Sequence, residues 1–321
     1  MKITRWFVLH MFVAALGMEV AAAGGSPPRI LLTSGLAGAV GSTVGPDGAL
    51  YVTEGAVGQV TRVDPRTGAK TTFASGLPPS IVGFGGAIDV AFIGRTAYVL
   101  VTLVGPDVGG SNVVGIYRVN GPTSVTPIAD IGAFALQHPP TTQFDVPTGL
   151  QFAFEPYLQG FLVTDGHHNR VLYVRLDGRI SVFRQFGNIV PTGLSIAGVG
   201  VLIAEAGAVP HRPQDGKVVL LLPHFNGSIE LASGAPLLVD VELGRGGRLY
   251  ALSQGLFPAG APPATPALPN TGSLVQAQWN GTFRTVAEEL DVPTSVEFIE
   301  DNAYVVTLNG EIWKIKLDER H

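Results

Sequence analysis

Cysteine is absent from the sequence, so neither a disulfide nor a thiol nucleophile is available. Charge is also scarce: 14% of the 321 residues are charged, the net charge is −5, and there is no long run of either sign. A nucleic-acid partner or an anionic membrane surface requires clustered Lys and Arg, so neither is predicted as a partner. The Gly-x-Ser-x-Gly and His-Glu-x-x-His motifs are missing as well. No motif therefore defines a reaction.

The N-terminus has the pattern of an export signal. Lys2 and Arg5 precede an apolar stretch at 6–16, and small residues at 21–23 form a cleavage site. The apolar stretch is too short to span a bilayer, which needs about 20 residues. An uncleaved hydrophobic anchor is the alternative. We predict a signal peptide over 1–23 and a single mature domain over 24–321, monomeric, without a membrane span and exported to the periplasm or the extracellular space.

Glycine and proline are abundant, and their even distribution predicts short strands joined by tight turns. The clearest unit lies at 146–183, where four apolar segments are separated by turn residues and Asp177-Gly178 predicts a hairpin. Its strands are predicted at 146–152, 161–164, 171–176 and 180–183. Five further segments repeat this pattern. Six four-stranded units are the signature of an all-β, six-bladed β-propeller.

The last unit lacks a fourth strand, because the chain ends soon after its third strand at 311–317. The segment Arg29-Ile-Leu-Leu-Thr-Ser-Gly-Leu36 resembles the fourth strand Lys70-Thr-Thr-Phe-Ala-Ser-Gly-Leu77. We therefore predict that 29–36 pairs with 311–317 and completes the sixth blade. Such pairing closes the ring and removes an exposed sheet edge without a disulfide.

Three insertions, at 104–112, 207–216 and 256–272, all fall between second and third strands. In a propeller these loops share one face with the loops that lead into the first strands. Long insertions on one face usually form a binding surface. The sequence therefore predicts that a small molecule or a protein binds on this long-loop face.

Polar residues near the predicted channel mouth are the candidates for chemistry. The ligand-binding candidates are Glu54, Asp165, His167, His168, Glu205 and His211. Further polar residues are expected near the mouth at Asp89, Thr148, Thr192, Asp240, Gln254 and Thr294. Carboxylates that converge there fit Ca²⁺, a possible cofactor with Glu54, Asp165 and Glu205 as ligands. Such a metal would polarise an ester or lactone carbonyl, with His168 or His211 as proton carrier.

The alternative for the acidic residues is structural. Short acidic side chains that follow strands commonly bond turn amides, which is the competing interpretation of Glu54 and Asp165. Asp89 and Asp240 are expected to tie adjacent blades together. Adjacent histidines point apart in an extended chain, so His167 and His168 are not expected to share one metal.

The segment Asp165-Gly-His-His-Asn-Arg-Val resembles an NHL-type repeat, whose blades often carry an Asn-Arg-Val step after a turn. More specifically, the chain resembles the ScyD/ScyE family of propeller proteins, named from the gene cluster for the pigment scytonemin. The matching segments include Tyr51-Val-Thr-Glu-Gly, Gly86-Ala-Ile-Asp-Val-Ala-Phe, Ala204-Glu-Ala-Gly, Gly244-Arg-Gly, Pro269-Asn-Thr-Gly and Pro293-Thr-Ser-Val-Glu-Phe. The resemblance implies the propeller fold over nearly all of the mature chain and assigns no reaction or catalytic residue.

Three functional hypotheses follow. The first is an exported binding or scaffold propeller of the ScyD/ScyE type, not an enzyme, with its ligand on the long-loop face. The second is a calcium-dependent lactonase or esterase with an acidic metal site at the channel mouth. The third is a cell-envelope scaffold without a small ligand.

Overall fold

The computed structural model describes residues 28–142, 144–262 and 265–317. It contains six four-stranded antiparallel sheets, which confirms the all-β, six-bladed propeller. The predicted signal peptide at 1–23 lies outside the described residues. Within the described ranges, no helix is long and apolar enough to cross a membrane.

Blades 1 to 3 each use four consecutive strands, which run from the central channel outward. Blade 1 comprises β2 (Ala39–Val44), β3 (Leu50–Glu54), β4 (Gln59–Val63) and β5 (Lys70–Ser75). Blade 2 comprises β6 (Gly86–Ile93), β7 (Thr96–Thr102), β8 (Gly115–Gly121) and β9 (Ser124–Asp130). Blade 3 comprises β10 (Gln151–Tyr157), β11 (Gly160–Asp165), β12 (Arg170–Arg175) and β13 (Ile180–Gln185).

Blades 4 and 5 repeat this plan, and blade 6 combines strands from both ends of the chain. Blade 4 comprises β14 (Pro191–Ala197), β15 (Gly200–Glu205), β16 (Gly216–Leu221) and β17 (Ile229–Ala235). Blade 5 comprises β18 (Leu238–Leu243), β19 (Leu249–Ser253), β20 (Gly272–Ala277) and β21 (Phe283–Leu290). Blade 6 comprises β22 (Pro293–Ile299), β23 (Asn302–Thr307), β24 (Ile312–Lys316) and β1 (Arg29–Thr33).

The two ends of the chain close the ring, as the sequence predicts. Strand β1 pairs antiparallel with β24, with Arg29 opposite Ile315 and Leu31 opposite Trp313. Beyond the strand, the Leu36 amide donates to the Gly310 carbonyl at 3.1 Å. Backbone hydrogen bonds between the two ends therefore close the ring without a disulfide.

Apolar side chains fill the spaces between neighbouring blades. Between blades 2 and 3, for example, Ile88, Leu100, Phe154 and Phe161 are all at most 1% exposed and belong to one cluster. Each such side chain contributes about 1.5–3 kcal/mol through removal of apolar surface from water. This packing fixes the angle between blades and holds the loop ends that form the mouth of the channel.

The structure corrects the sequence expectation for the start of blade 3. The first strand is β10, at Gln151–Tyr157, and not 146–152. Before it, the chain forms a short helix, α1 (Ile131–Gln137), which the sequence reasoning missed. Asp130 caps this helix by accepting a hydrogen bond from the Ala133 amide at 2.7 Å. Two single-turn 3₁₀ helices, at Pro106–Val108 and Arg245–Gly247, complete the helical content of the described residues.

Candidate functional site

The second strand of every blade ends in a polar residue at the same level of the ring. These equivalent residues are Glu54, Thr102, Asp165, Glu205, Ser253 and Thr307, and none is more than 5% exposed. Gln254, which the sequence suggested for blade 5, lies one residue beyond this position. A buried polar group is costly unless it is hydrogen-bonded, so the partners of each carboxylate decide its role.

Glu54 is fully engaged within blade 1. One carboxylate oxygen accepts from the Ala37 amide at 2.6 Å. The other accepts from the Gln59 side chain at 2.8 Å and from the Thr61 hydroxyl. These bonds join the start of the first strand to the second and third strands. The contacts of Glu54 are those of a residue that stabilises a blade.

Asp165 belongs to a buried network in blade 3. Its carboxylate accepts from the Leu150 amide at 3.2 Å and from Nε of Arg170 at 2.9 Å. Arg170 is 1% exposed and also donates to the His138 carbonyl at 2.7 Å. The network therefore attaches the segment after α1 to the blade.

His168 completes this network. Its Nε2 lies 3.0 Å from the Val146 carbonyl oxygen, which can only accept, so Nε2 carries a proton. Its Nδ1 lies 2.9 Å from Nη2 of Arg170 and 3.1 Å from Oδ2 of Asp165. Both ring nitrogens are therefore engaged by buried groups of the network. The structure places His168 beneath the surface and not at an open site.

Glu205 is buried but incompletely bonded. Its Oε2 has no hydrogen-bond partner among the described residues, and the nearest cation is Nζ of Lys217 at 3.6 Å. Burial raises the pKa of Glu205 to about 7, although Lys217 favours the ionised form. A second carboxylate, Glu230, lies 3.6 Å from the same ammonium group.

The three predicted calcium ligands, Glu54, Asp165 and Glu205, are not brought together. In the part of the chain that the structure describes, no group of three or more His, Asp or Glu side chains is arranged to hold a metal ion. Each of the three carboxylates instead faces the third strand of its own blade, towards Gln59, Arg170 or Lys217. The residues present do not fit the 6–8 oxygen ligands that Ca²⁺ requires.

Asp89 and Asp240 tie adjacent blades together, as the sequence suggested. Asp89 in blade 2 accepts from the Phe154 amide of blade 3 at 3.0 Å. Asp240 in blade 5 accepts from the Val296 amide of blade 6 at 2.8 Å. On the preceding blade, Gly41 faces Asp89 and Gly193 faces Asp240, and a Cβ at either glycine would collide with the carboxylate. The two arrangements are three blades apart and related by an approximate two-fold repeat.

A second level of carboxylates lies deeper in the channel. Asp89 and Asp240 define the upper level. Glu155, Glu242 and Glu297 lie two residues beyond that level on their own strands, about 6–7 Å further from the mouth. Ser195 donates to Glu242 at 3.0 Å, whereas no described residue donates to Glu155 or Glu297. Burial and mutual repulsion raise the pKa of Glu155 to about 8, and burial raises the pKa of Asp240 to about 6.

Above this channel, a largely apolar pocket of about 380 Å³ opens on the long-loop face. Its walls come from loops of blades 2 to 6, including two of the three predicted insertions. Its lining includes Phe84, Phe152, His167, His211, Gln254 and Phe257. Phe84, Phe152 and Gln254 also line the narrow cavity beneath, of about 60 Å³, so pocket and channel are continuous.

Two of the predicted histidines meet at this pocket. His167 lies in the turn after β11, and His211 lies in the insertion after β15, where it packs edge-on against Phe257 at 5.2 Å. The Nδ1 atoms of both rings are buried and have no hydrogen-bond partner among the described residues, while the His211 ring also lies against the backbone of Ala206 and Gly207. Burial lowers the pKa of His167 and of His211, so both rings are held in the neutral form at pH 7.

The sequence reasoning missed the aromatic walls of the pocket. Phe84 lies in the loop before β6, Phe152 near the start of β10, and Phe257 in the insertion after β19. Phe257 lies within a predicted insertion and Phe84 in a loop that leads into a first strand, so a search of the loops on this face could have found both. Phe152 is indistinguishable in sequence from a core residue of a short strand.

No protein-family model and no curated protein matches the sequence, so membership of the ScyD/ScyE family is not shown. Solved structures share the fold. A gluconolactonase from Xanthomonas campestris aligns with a TM-score of 0.61 and 10% identity, over 90% of this chain and 89% of that chain. Virginiamycin B lyase from Staphylococcus aureus aligns with a TM-score of 0.54 and 12% identity, over 91% and 99%.

A PQQ-bound aldose sugar dehydrogenase from Streptomyces coelicolor aligns with a TM-score of 0.54 and 16% identity, over 91% of this chain and 99% of that chain. These three neighbours carry different activities on one architecture. At such identities the likeness shows the six-bladed propeller and no more, and the function must be argued from the site.

Proposed function

We propose that this protein is an exported propeller of the ScyD/ScyE type that binds a small, mainly apolar molecule in the pocket on its long-loop face. The observation that carries the proposal is the pocket itself, with aromatic walls and two unpartnered imidazole nitrogens. Binding pockets typically combine apolar walls with a few polar groups that fix the orientation of the ligand. The proposal that the protein is exported rests on the signal-like pattern at 1–23.

The histidines define the hydrogen bonds that such a ligand would make. A neutral imidazole offers one donor and one acceptor, so each unpartnered Nδ1 can bond a hydroxyl or amide of the ligand. Leaving a buried polar atom unpaired costs about 1–3 kcal/mol, and a ligand that bonds it recovers that free energy. This is the reason for assigning His167 and His211 to ligand binding, in preference to Glu54, Asp165, His168 and Glu205, whose groups face their own blades.

Fluorescence titration with Nile red, a neutral apolar dye, tests the proposal. We expect saturable binding at one site, with a blue shift of the emission. His167→Ala and His211→Ala should weaken the binding, whereas His224→Ala should not, because His224 is exposed and outside the pocket. Absence of saturable binding, or equal affinity in all three variants and the wild type, would contradict the proposal.

A second candidate function, hydrolysis of a lactone or ester, is favoured by one feature of the same pocket. A neutral imidazole with a free nitrogen at pH 7 is suited to act as a general base. The gluconolactonase among the structural neighbours makes a lactone the natural first substrate to test. The experiment is turnover of glucono-δ-lactone and of 4-nitrophenyl butyrate by the purified protein.

Turnover that is lost in His167→Ala or His211→Ala and retained in His224→Ala would favour the hydrolase over the binding protein. Dye binding without turnover of either substrate would favour the binding protein. The two functions can be separated because the turnover assay measures a reaction, whereas the Nile red titration measures occupancy of the same cavity.

A further inference from the structure

The titratable groups of the cavity beneath the pocket are all acidic. Of the described residues that line it, four are carboxylates, namely Asp89, Asp240, Glu242 and Glu297, and none is Lys, Arg or His. Glu155 adds a fifth carboxylate close enough to interact with Asp240. Burial raises the pKa of Asp89, Glu242 and Glu297, and neighbouring carboxyls add to the rise. A cation that enters the cavity stabilises the ionised carboxylates, so its binding is coupled to loss of protons from them.

The hydrogen bonds of these carboxylates divide them into two levels. Asp89 and Asp240 each accept two backbone amides and are held in place by them. Glu297 and Glu155 accept none from the described residues. The upper level is thus occupied in holding blades together, whereas the lower level has unused acceptor capacity.

The two connected cavities differ in size as well as in chemistry. The pocket of about 380 Å³ accommodates an apolar body against aromatic walls. The cavity beneath it, of about 60 Å³, is too small for such a body and large enough for a group the size of an ammonium ion. Both cavities share Phe84, Phe152 and Gln254, so one molecule can occupy the two at once.

We propose that the ligand of this protein is an amine, whose apolar body occupies the pocket and whose ammonium group points down the channel axis towards Asp240 and Glu297. This inference rests on the proposed binding function and specifies its ligand class. Phe84 and Phe152 line both cavities, and aromatic rings at such a junction attract cations. The channel carboxylates select the charge, and the imidazoles above them bond polar atoms of the ligand body.

A series of three probes with a similar phenylbutyl body tests the inference: 4-phenylbutylamine, 4-phenylbutan-1-ol and 4-phenylbutyrate. They carry a positive, a zero and a negative charge at pH 7.5. Displacement of Nile red at fixed ionic strength gives their relative affinities. We expect the amine to bind at least about tenfold more tightly than the alcohol, and the carboxylate most weakly.

Glu297→Gln separates the channel field from other effects. This substitution preserves the side-chain shape and should reduce the preference for the amine over the alcohol several-fold, with little change for the alcohol. The matched control is Glu300→Gln, which removes an exposed carboxylate from the turn after β22 and should leave the preference unchanged.

The outcomes distinguish this inference from the function on which it rests. Equal affinity for the amine and the alcohol, with normal Nile red binding, would overturn the charge preference alone. A preference that survives Glu297→Gln and a Glu155→Gln/Glu297→Gln double variant would overturn the role of the channel. Failure of Nile red and of all three probes to bind would overturn the binding function and the inference together.

Discussion

His167 and His168 are adjacent in the sequence and opposite in their surroundings. His168 is 0% exposed and bonds Val146 and Arg170 through its two ring nitrogens. His167 lies at the wall of the pocket, and its buried Nδ1 has no partner among the described residues. The His167 imidazole is therefore available for a ligand, whereas the His168 imidazole stabilises the fold.

The difference shows how to separate function from architecture in a repeat protein. The residues that make the segment resemble an NHL-type repeat, Asn169 and Arg170, are both structural: Asn169 accepts from the Ile189 and Val190 amides, and Arg170 bonds three partners. A repeat motif records what each blade needs in order to fold. The groups left without partners are better guides to what the protein binds.

Removal of Arg170 is expected to have the largest effect. Arg170→Met leaves the buried Asp165 carboxylate without its cation and should destabilise the protein by about 3–5 kcal/mol. Urea unfolding measures this change. The control is Arg179→Met, which removes an exposed guanidinium that pairs with Asp177 and should not change stability measurably. Similar stability for the two variants would refute the structural role of the Asp165 network.

The two histidines should respond differently to the same substitution. His168→Leu leaves Nη2 of Arg170 and the Val146 carbonyl without their partner and should cost about 1–3 kcal/mol. His167→Leu removes no hydrogen bond and should change the stability by less than about 0.5 kcal/mol while weakening Nile red binding. Thermal unfolding and dye titration of both variants provide the comparison. The reverse pattern would mean that the two residues had been assigned the wrong roles.

The fold was predictable from the sequence because its signals are local and repeated. Turn pairs such as Asp177-Gly178 recur with each blade, and the similarity of 29–36 to 70–77 identified the closing strand. The sequence also predicted that Asp89 and Asp240 connect adjacent blades. Helix α1 was not, because it occurs once and has no counterpart in the other blades.

The site was less predictable, because it depends on which side chains remain without partners after folding. Glu54, Asp165 and Glu205 occupy equivalent positions and look like converging ligands, yet each faces the third strand of its own blade. Phe84 and Phe152 both line the pocket, although they are 68 residues apart in the sequence. Nothing in the sequence indicates that two residues so far apart lie side by side. Only three-dimensional packing sorts the bonded groups from the unbonded ones.

The contrast between bonded and unbonded groups extends to pH dependence. The pKa of Glu155 is raised to about 8 and that of Asp240 to about 6. Between the ordinary carboxyl pKa and these raised values, the folded state keeps a proton on each group that the unfolded state has released. Their contribution to stability is therefore greatest at acidic pH and is lost as the pH rises through about 6 to 8. His167 acts in the opposite sense, because its lowered pKa costs stability as the pH falls through 6.5.

Thermal unfolding between pH 5 and pH 9 tests this balance. Glu155→Gln mimics the protonated carboxyl and should raise the melting temperature at pH 8.5 by about 2–4 °C, with little change at pH 5. Glu300→Gln is again the matched control and should leave the pH profile unchanged. An identical profile for wild type and Glu155→Gln would show that this carboxyl is not held in the protonated form.

Glu205 should also give a small effect, and its substitution compares a carboxylate that has an unbonded oxygen with its fully bonded equivalents in blades 1 and 3. Because Oε2 has no hydrogen-bond partner and the pKa is raised to about 7, the ionised form gains little from the fold beyond the 3.6 Å contact with Lys217. Glu205→Gln should therefore change the free energy of unfolding by less than about 1 kcal/mol at pH 8, since lost attraction and relieved burial of charge oppose each other. Equilibrium unfolding at pH 6 and pH 8 measures both ends of the titration. A loss of more than about 2 kcal/mol would mean that the Glu205 carboxylate is stabilised by its surroundings, as Glu54 and Asp165 are. In that case the lack of a hydrogen-bond partner at Oε2 would not show that this carboxylate contributes little to stability.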